Sequence, residues 1–442
     1  MRILLLFSSA LFFFSLNAFA QHWEDVVGGV HGRYEGEPPE VSSIVSDSIH
    51  HLLYVGGIFD SAGDVQSRNL AFWNGTRWIS SEAQFGYGAY INIITAMILF
   101  HDTLIFAGPY GVGRWIDTTY GAPVTPQLTG VTSLAIFHDT LFAGKNSAVY
   151  QYTGETWKLI GKFEANSVSP EIHSMAVYND QLIVGGLFRT IDKVSCNNIA
   201  SWDGKAWHPL GGGTRWSVSS LEGTVYSLAS YKGELYAAGS FDTAGDVHCY
   251  DIARWNGSKW DSVGPKTICG NTYTMVANDS FLYVGGGLFG VDQYCKILRV
   301  GKWDGANWYN LNLDIDLDVY SVAFFDDELY AAGRFYLLND TTAHGIVKYV
   351  NDIATTVVPI MTEKLKIFPN LTNDYFSVNN PIQQAARLFI SDIYGRIVKS
   401  MILSSSSNNT KVDVRDLTIG TYLVTLQTAL TRTSQKLVIT TK

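Results

Sequence analysis

The amino-acid sequence predicts an all-β protein in which a large repeated region is followed by a small β-sandwich. Three observations point to this fold class. Glycine makes up 41 of the 442 residues, aromatic residues make up 13%, and tryptophan recurs in pairs five residues apart. Glycine permits tight turns, and aromatic side chains fill the space between packed sheets. With 47% hydrophobic and 16% charged residues, the composition excludes disorder for the bulk of the chain.

Residues 1–20 have the pattern of a cleaved signal peptide. Arg2 supplies a positive charge, residues 3–16 are almost wholly apolar, and Ala18 and Ala20 are small residues suited to the cleavage site. A transmembrane anchor is the alternative, but polar residues interrupt the apolar run and no basic residue directly follows it. We therefore expect a mature chain that begins at Gln21, is exported and has no transmembrane anchor. The net charge of −9 argues against nucleic acid as a partner.

Residues 21–351 contain a repeat of about 46 residues. Each repeat has an apolar run that ends in glycine, at Gly56, Gly108, Gly144, Gly185, Gly239, Gly285 and Gly333. Two aromatic residues follow, and in the clearest copies they flank an Asn-Gly or Asp-Gly turn: Trp73/Trp78, Trp202/Trp207, Trp255/Trp260 and Trp303/Trp308. Such dipeptides favour two-residue hairpin turns. Each repeat thus predicts four strands, with strand A before the glycine run, strand B containing it, strand C ending at the first aromatic residue and strand D carrying the second.

The two ends of the repeated region complement each other. The seventh repeat ends near Tyr349 without a strand D, whereas residues 23–29 match strand D of another repeat, residues 207–212. Four strands in 40 to 50 residues are typical of a propeller blade. We therefore expect a seven-bladed β-propeller over residues 21–351, closed by an N-terminal strand that completes the last blade. Closure would remove two unpaired strand edges.

The repeat resembles known propeller families. A Gly-Gly-x-Phe run followed by Ile-Ala-x-Trp, an Asn-Gly or Asp-Gly turn and a second tryptophan is similar to kelch-type repeats, to propellers of the fungal cortical polarity-marker type and to many bacterial secreted proteins. The resemblance covers about 330 residues. Because such propellers have many functions, it implies a fold and not an activity.

The pattern changes after residues 352–362, which we expect to be a linker. Residues 363–442 contain seven predicted short strands, which indicate a small Ig-like β-sandwich. This segment resembles the type A sorting domain of the type IX secretion system of certain Gram-negative bacteria, through Pro369, Asn370, Asp392, Gly395, Gly420, Tyr422 and Lys436. Leu371 stands where that family usually has a second proline. The resemblance implies that the type IX secretion machinery is a partner and that the protein is secreted or held at the cell surface. A carbohydrate-binding or adhesion sandwich is the alternative.

All four cysteines fall in loops that a propeller would place on one face, either between strands B and C or before strand A: Cys196, Cys249, Cys269 and Cys295. An even number of cysteines in an exported protein favours disulfides, and four cysteines allow three connectivities. Our first expectation is Cys269–Cys295 together with Cys196–Cys249.

The same face carries recurring acidic loops. Their carboxylates are candidates for binding a cationic, hydroxyl-rich or metal ligand: Asp60, Asp64, Asp192, Asp242, Asp246 and Asp292. Asp and Gly also form turns, so a purely structural role is the alternative. His101-Asp102 and His138-Asp139 align with the A–B turns of other repeats, and we interpret them as turn residues.

Taken together, these features favour a non-enzymatic binding module for an unidentified protein or glycan ligand. No residue is assigned a catalytic role, and no cofactor or metal is predicted. The alternative is a glycan hydrolase or lyase, or an oxidoreductase, that uses the central mouth of the propeller. A convergent acid–base pair or a metal at that mouth would distinguish the enzyme from the binding module.

Overall fold

The computed structural model describes residues 21–32, 38–81, 93–116, 120–166, 168–217, 223–264, 270–287, 299–339, 341–351, 366–379, 386–392, 397–403, 410–427 and 432–440. The signal peptide predicted at residues 1–20 and the linker predicted at residues 352–362 lie outside them. The chain divides into two compact units, Met1–Ile353 and Ala354–Lys442. The described residues form strands, turns and irregular segments without a helix, so the part that can be described holds no helix able to cross a membrane.

The first unit contains seven antiparallel sets of strands, each ordered A-B-C-D. The bounds in repeats 1 to 3 are Glu40–Asp47, Leu52–Ile58, Leu70–Trp73 and Trp78–Ser80; Ala96–Phe100, Thr103–Gly108, Gly111–Ile116 and Tyr120–Pro123; Val131–Phe137, Thr140–Lys145, Ala148–Tyr152 and Trp157–Glu164. In repeats 4 and 5 they are Glu171–Tyr178, Gln181–Leu187, Ile199–Trp202 and Trp207–Pro209; Thr224–Tyr231, Glu234–Ser240, Ile252–Trp255 and Trp260–Ser262. In repeats 6 and 7 they are Thr272–Ala277, Leu282–Gly286, Val300–Trp303 and Trp308–Asn310; Asp318–Phe325, Glu328–Arg334, Ile346–Asn351 and Gln21–Asp25.

The N-terminal strand supplies strand D of repeat 7. Gln21–Asp25 pairs antiparallel with Ile346–Asn351, and Trp23 lies opposite Tyr349. Repeats 1 and 7 are not separate sheets, because a single pair between Glu40 and Arg334 joins them into an eight-stranded sheet.

The strands A of successive repeats contact one another. Each contacts the strands A of the two neighbouring repeats, and the strand A of repeat 7 contacts that of repeat 1. Side chains reinforce this order. The backbone N–H of Ile44 in repeat 1 donates to the Ser321 hydroxyl of repeat 7 at 3.1 Å, and the N–H of Leu228 in repeat 5 donates to Ser174 of repeat 4 at 3.1 Å.

Tryptophans in strand D join neighbouring repeats. In six repeats the indole N–H donates to a backbone carbonyl of the preceding repeat: Trp78 to Val27, Trp157 to Pro126, Trp207 to Ile160, Trp260 to Leu210, Trp308 to Val263 and Trp23 to Leu311. The acceptor lies within or near the end of that repeat's own strand D. The recurring tryptophan therefore both fills the gap between sheets and satisfies its own polar group.

Short hairpins between strands B and C also pair with the preceding repeat. They are Ser61–Ala62 with Val65–Gln66, Thr190–Ile191 with Val194–Ser195, Thr243–Ala244 with Val247–His248, and Leu337–Leu338 with Thr341–Thr342. The first hairpin pairs with Val30–His31 and the third with Thr214–Arg215, both in segments that connect strand D to the next strand A. The B–C hairpins and D–A segments therefore share one face of the first unit.

The second unit consists of two sheets around one core. The three-stranded sheet contains Lys366–Phe368, Tyr375–Asn379 and Thr410–Asp413, and the five-stranded sheet contains Leu371–Thr372, Arg432–Ile439, Gly420–Gln427, Ala386–Ser391 and Ile397–Leu403. Phe376 of the first sheet and Leu388, Val424 and Leu437 of the second are fully buried in the shared core. Leu371–Thr372 is a strand beyond the seven predicted, and it pairs parallel with the end of the last strand.

Candidate functional site

A β-bulge recurs near the beginning of strand A. The pairing register of strands A and B shifts by one residue there in six repeats, which leaves one extra residue: Ser42, Thr132, His173, Tyr226, Tyr273 and Tyr320. In five of these repeats a glycine of strand B lies against the backbone of strand A beside the bulge, and in repeat 3 the residue there is Lys145. At Gly239 a methyl group would overlap the carbonyl oxygen of Thr224. Such bulges commonly redirect a side chain.

Four consecutive bulge residues form a row of rings, which we call the aromatic arc: His173, Tyr226, Tyr273 and Tyr320. Ring centroids are 5.0 Å apart for His173 and Tyr226, 5.2 Å for Tyr226 and Tyr273, and 5.5 Å for Tyr273 and Tyr320. The tyrosine rings are tilted by 61° and 71° to one another. All four residues are partly exposed. Because each begins its strand A, the arc lies at the end that also carries the D–A segments.

Carboxylates surround the aromatic arc. Burial, together with the smaller effects of the charges of Glu40 and Asp318, raises the pKa of Tyr320 to about 12, against a weaker opposing effect of Arg334. Burial also raises the pKa of Tyr226 and Tyr273. The hydroxyls of the arc therefore stay protonated at neutral pH.

One ion pair partly balances this negative charge. Arg299, whose side chain is 11% exposed, places its guanidinium 3.1 Å from Asp318. His173 lies 3.3 Å from Glu171, but burial lowers the pKa of His173, and the opposing charge of Glu171 does not reverse that direction. The imidazole of His173 is therefore largely neutral at pH 7.

Hydroxyls extend the row of bulge residues through the remaining repeats. The Thr132 hydroxyl donates to the Ile172 carbonyl of the next repeat. Thr95, directly before strand A of repeat 2, likewise donates to the Val131 carbonyl at 2.8 Å. The Ser42 hydroxyl donates to Glu40 at 3.4 Å. The side chains at this position are thus aromatic in repeats 4 to 7, whereas repeats 1 to 3 carry the hydroxyl groups of Ser42, Thr95 and Thr132.

The predicted acidic residues are placed in the B–C hairpins, and each described one except Asp64 has a local partner. Asp60 lies 3.5 Å from Arg68, Asp192 accepts from the Lys162 N–H at 3.1 Å, and Asp246 lies 4.0 Å from Arg215. Burial alone would raise the pKa of Asp242, but hydrogen bonds from Ser217 and Thr243 lower it. Asp64 is exposed, and Asp292 lies outside the described residues.

These contacts suit turn formation, and ligand binding by these carboxylates stays a prediction. Within the described ranges, no three His, Cys, Asp or Glu side chains come together in a way that could hold a metal ion.

The expected Cys196–Cys249 disulfide is not formed, because both thiols are free and buried. The physical reason is that the two cysteines occupy equivalent positions in different cores. Cys196 packs with Phe188 and Trp207, whereas Cys249 packs with Phe241 and Trp260. Burial raises the pKa of Cys196 to about 11 and that of Cys249 to about 12. Cys269 and Cys295 lie outside the described residues.

Histidines of the A–B turns join neighbouring repeats on the opposite face. The ring of His101 is 2.6 Å from Asp139 and that of His138 is 2.7 Å from Asp180, each in the following repeat. Both histidines have positive φ angles, as turn residues do. A cavity of about 320 Å³ lies beside His101 and is lined by Phe100, Arg114 and Tyr152 among others.

The residues that suggested a sorting domain lie in the strands and turns of the second unit. The Asn370 carbonyl accepts from the Val438 N–H at 2.8 Å, and the Tyr422 hydroxyl donates to the Thr418 carbonyl at 2.8 Å. The remaining residues lie at strand ends or on the surface: Pro369 after the first strand, Asp392 after Ala386–Ser391, Gly420 opposite Ile439, and Lys436 exposed opposite Leu423. Gly395 lies outside the described residues.

Comparison with known families identifies the second unit. Residues 366–440 match the family model described as a secretion system C-terminal sorting domain. The chain therefore carries a C-terminal type IX sorting domain, which indicates export to the cell surface or outside the cell. This domain also implies a link to the type IX secretion system.

Some solved structures resemble the chain distantly. One is PorZ of Porphyromonas gingivalis, an essential bacterial surface component of the type IX secretion system, with 14% identity and a TM-score of 0.47. The match covers 92% of this chain and 60% of PorZ, so the chain spans less than two thirds of that protein. The extracellular domain of BT4673 from B. thetaiotaomicron matches at 10% identity and a TM-score of 0.28, over 96% of this chain and 100% of that domain. No curated protein matches the chain.

Proposed function

We propose that residues 21–351 close into a seven-bladed, kelch-like β-propeller. Two observations support closure. The strands A contact one another in cyclic order, including those of repeats 1 and 7, and the N-terminal strand pairs with strand C of repeat 7. In such a ring the strands A line the central channel, and the aromatic arc lies at one mouth of it.

We propose further that the exported protein is a non-enzymatic binding module, with the aromatic arc as its binding site. The observation that carries this proposal is the row of four adjacent, partly exposed rings on consecutive central strands. Concave sites lined by aromatic side chains with a few polar groups are typical of ligand binding. The sorting domain at residues 363–442 accounts for export and leaves the first unit to bind a ligand.

The arc suits binding better than catalysis. Its tyrosine hydroxyls hold their protons, because burial raises the pKa of each of them. The Asp318 carboxylate is occupied by Arg299 at 3.1 Å. Acid–base catalysis needs groups whose pKa lies near the working pH, whereas stacking against a ligand needs only the rings.

The test is a ligand screen of residues 21–442 on glycan and peptide arrays, with Tyr273→Ala as the site variant. We expect Tyr273→Ala to weaken specific binding. Tyr309→Ala is the matched control, because Tyr309 is 44% exposed and lies in strand D of repeat 6. Binding that Tyr273→Ala leaves unchanged contradicts the proposed site, and turnover of a bound glycan contradicts the non-enzymatic role.

A further inference from the structure

The rings of the aromatic arc do not form one flat platform. Successive tyrosine rings pack edge to face, with centroids 5.2 and 5.5 Å apart and tilts of 61° and 71°. A sugar ring stacks best on a single flat aromatic surface. A compact cation needs only an exposed ring face, whose electron-rich π system attracts it.

Charge around the arc favours the same kind of ligand. Glu40 and Asp318 act on Tyr320, and Glu171 acts on Tyr226. Arg299 balances Asp318 through its ion pair at 3.1 Å, and Arg334 is the positive charge that acts on Tyr320 more weakly than those two carboxylates. Glu40 and Glu171 therefore give the two ends of the tyrosine row a negative potential that a cation would reduce.

We propose that the aromatic arc binds an alkylammonium group, with Tyr226, Tyr273 and Tyr320 contacting its methyl or methylene groups and Glu40 and Glu171 balancing its charge. This inference rests on the proposed binding function and names its ligand class. A choline headgroup and a lysine side chain both present this chemistry. Cation–π contacts and nearby carboxylates then supply the attraction together.

The experiment measures binding of choline to residues 21–442 by calorimetry and by saturation transfer to the N-methyl protons. The control ligand is 3,3-dimethylbutan-1-ol, which has the shape of choline without its charge. We expect choline to bind at least about tenfold more tightly than the alcohol, since one cation–π contact contributes roughly that factor. N-acetyl-lysine methylamide forms a second arm that distinguishes a peptide source from a choline source.

Two kinds of variant locate the site. Tyr273→Ala should weaken choline binding by about tenfold, and Tyr273→Phe should retain most of it because the ring face remains. Glu40→Gln should weaken binding of choline but not of the alcohol. Tyr309→Ala should change neither, and unchanged unfolding curves of all variants would exclude misfolding as the cause.

The outcomes separate the ligand class from the proposed function. Equal affinity for choline and the uncharged alcohol overturns the cation site, as does choline binding that is indifferent to Tyr273→Ala. Absence of binding by both cations overturns it too. If a glycan then binds and Tyr273→Ala abolishes that binding, the binding function stands and only the alkylammonium assignment is lost.

Discussion

Trp23 and Leu311, which are 288 positions apart in the sequence, share a buried hydrogen bond of 2.8 Å from the indole N–H to the backbone carbonyl. This bond joins the N-terminal strand to repeat 6, while the same strand pairs with repeat 7. One short segment thus contacts two repeats from the far end of the chain. Its contribution to stability is the first property to measure.

Replacing Trp23 with phenylalanine should destabilise the first unit by about 2 kcal/mol or more, because a buried carbonyl loses its donor and the smaller ring leaves a cavity. Urea unfolding measures the change. Trp157→Phe is the matched control, since its hydrogen bond to Pro126 is exposed to solvent and is worth less. Equal losses in both variants would argue against a special role for the N-terminal strand.

Removing residues 21–29 should lower the melting temperature of the first unit as a whole. The deletion exposes the edge of Ile346–Asn351 and removes the Val27 carbonyl that accepts from Trp78. A synthetic peptide of residues 21–29 added in excess should restore part of the stability by mass action. An unchanged melting temperature after deletion would contradict closure by this strand.

Gly239→Ala should destabilise the protein and displace the bulge that carries Tyr226. A methyl group at Gly239 overlaps the Thr224 carbonyl of strand A. Gly204→Ala serves as the control, because Gly204 has a φ of +92° but open space around its Cβ position. Its substitution therefore measures only the backbone strain of a positive φ, about 1 kcal/mol, without a steric overlap. Unfolding curves should therefore show a larger loss for Gly239→Ala than for Gly204→Ala.

Cys196 and Cys249 should resist iodoacetamide at about pH 8 in the folded protein and react fully after unfolding without a reductant. Burial encloses both sulfur atoms and raises both pKa values, to about 11 and about 12. Mass spectrometry of the peptides measures the extent of alkylation at each cysteine. A disulfide between these two cysteines, or labelling of either in the folded state, would contradict the structure.

Local chemistry explains what the sequence could predict of the fold. The Asn-Gly and Asp-Gly turns specify the C–D hairpins through their own backbone preferences, as at Gly257 and Gly305, whose φ angles are positive. The spacing of the repeats likewise predicts that residues 23–29 contain a strand D. The prediction of a Cys196–Cys249 disulfide was wrong because equivalent loops of successive repeats need not meet, and each of these cysteines belongs to its own core.

The aromatic arc was missed because a bulge arises from a contact between two strands. In five repeats a glycine of strand B lies against strand A beside the extra residue, and no local preference of Tyr226 or Tyr273 predicts this contact. An alignment of the repeats with one another could have located the bulge. In each repeat that has one, the bulge residue lies between a β-branched residue and a serine or threonine, as in Val225-Tyr226-Ser227 and Thr272-Tyr273-Thr274.

The segment around His344 should make stability depend on pH. Its ring lies 4.4 Å from that of His31, and its Nδ1 and the Oδ1 of Asp25 are buried without a hydrogen-bond partner in the described structure. Burial lowers the pKa of His344 below its ordinary 6.5, and the charge of His31 lowers it further, while Asp25 opposes both. Burial raises the pKa of Asp25.

The two shifts act in opposite directions. Because the pKa of His344 is lowered in the folded protein, the unfolded state binds a proton at His344 more readily. The neutral ring of His344 therefore contributes stability that is present above about pH 6.5 and is lost as the pH falls through the folded pKa. The raised pKa of Asp25 contributes stability that is present at low pH and lost as the pH rises. His344→Gln removes the first effect and leaves the second.

We therefore expect His344→Gln to lose less stability than the unsubstituted protein when the pH falls from about 7.5 to about 5.5, by up to about 1 kcal/mol. Urea unfolding at a series of pH values measures the difference. His51→Gln is the control, because its side chain is 62% exposed and pairs with Asp326 at the surface. A His344→Gln curve parallel to that of the unsubstituted protein would show that protonation of His344 is not linked to folding.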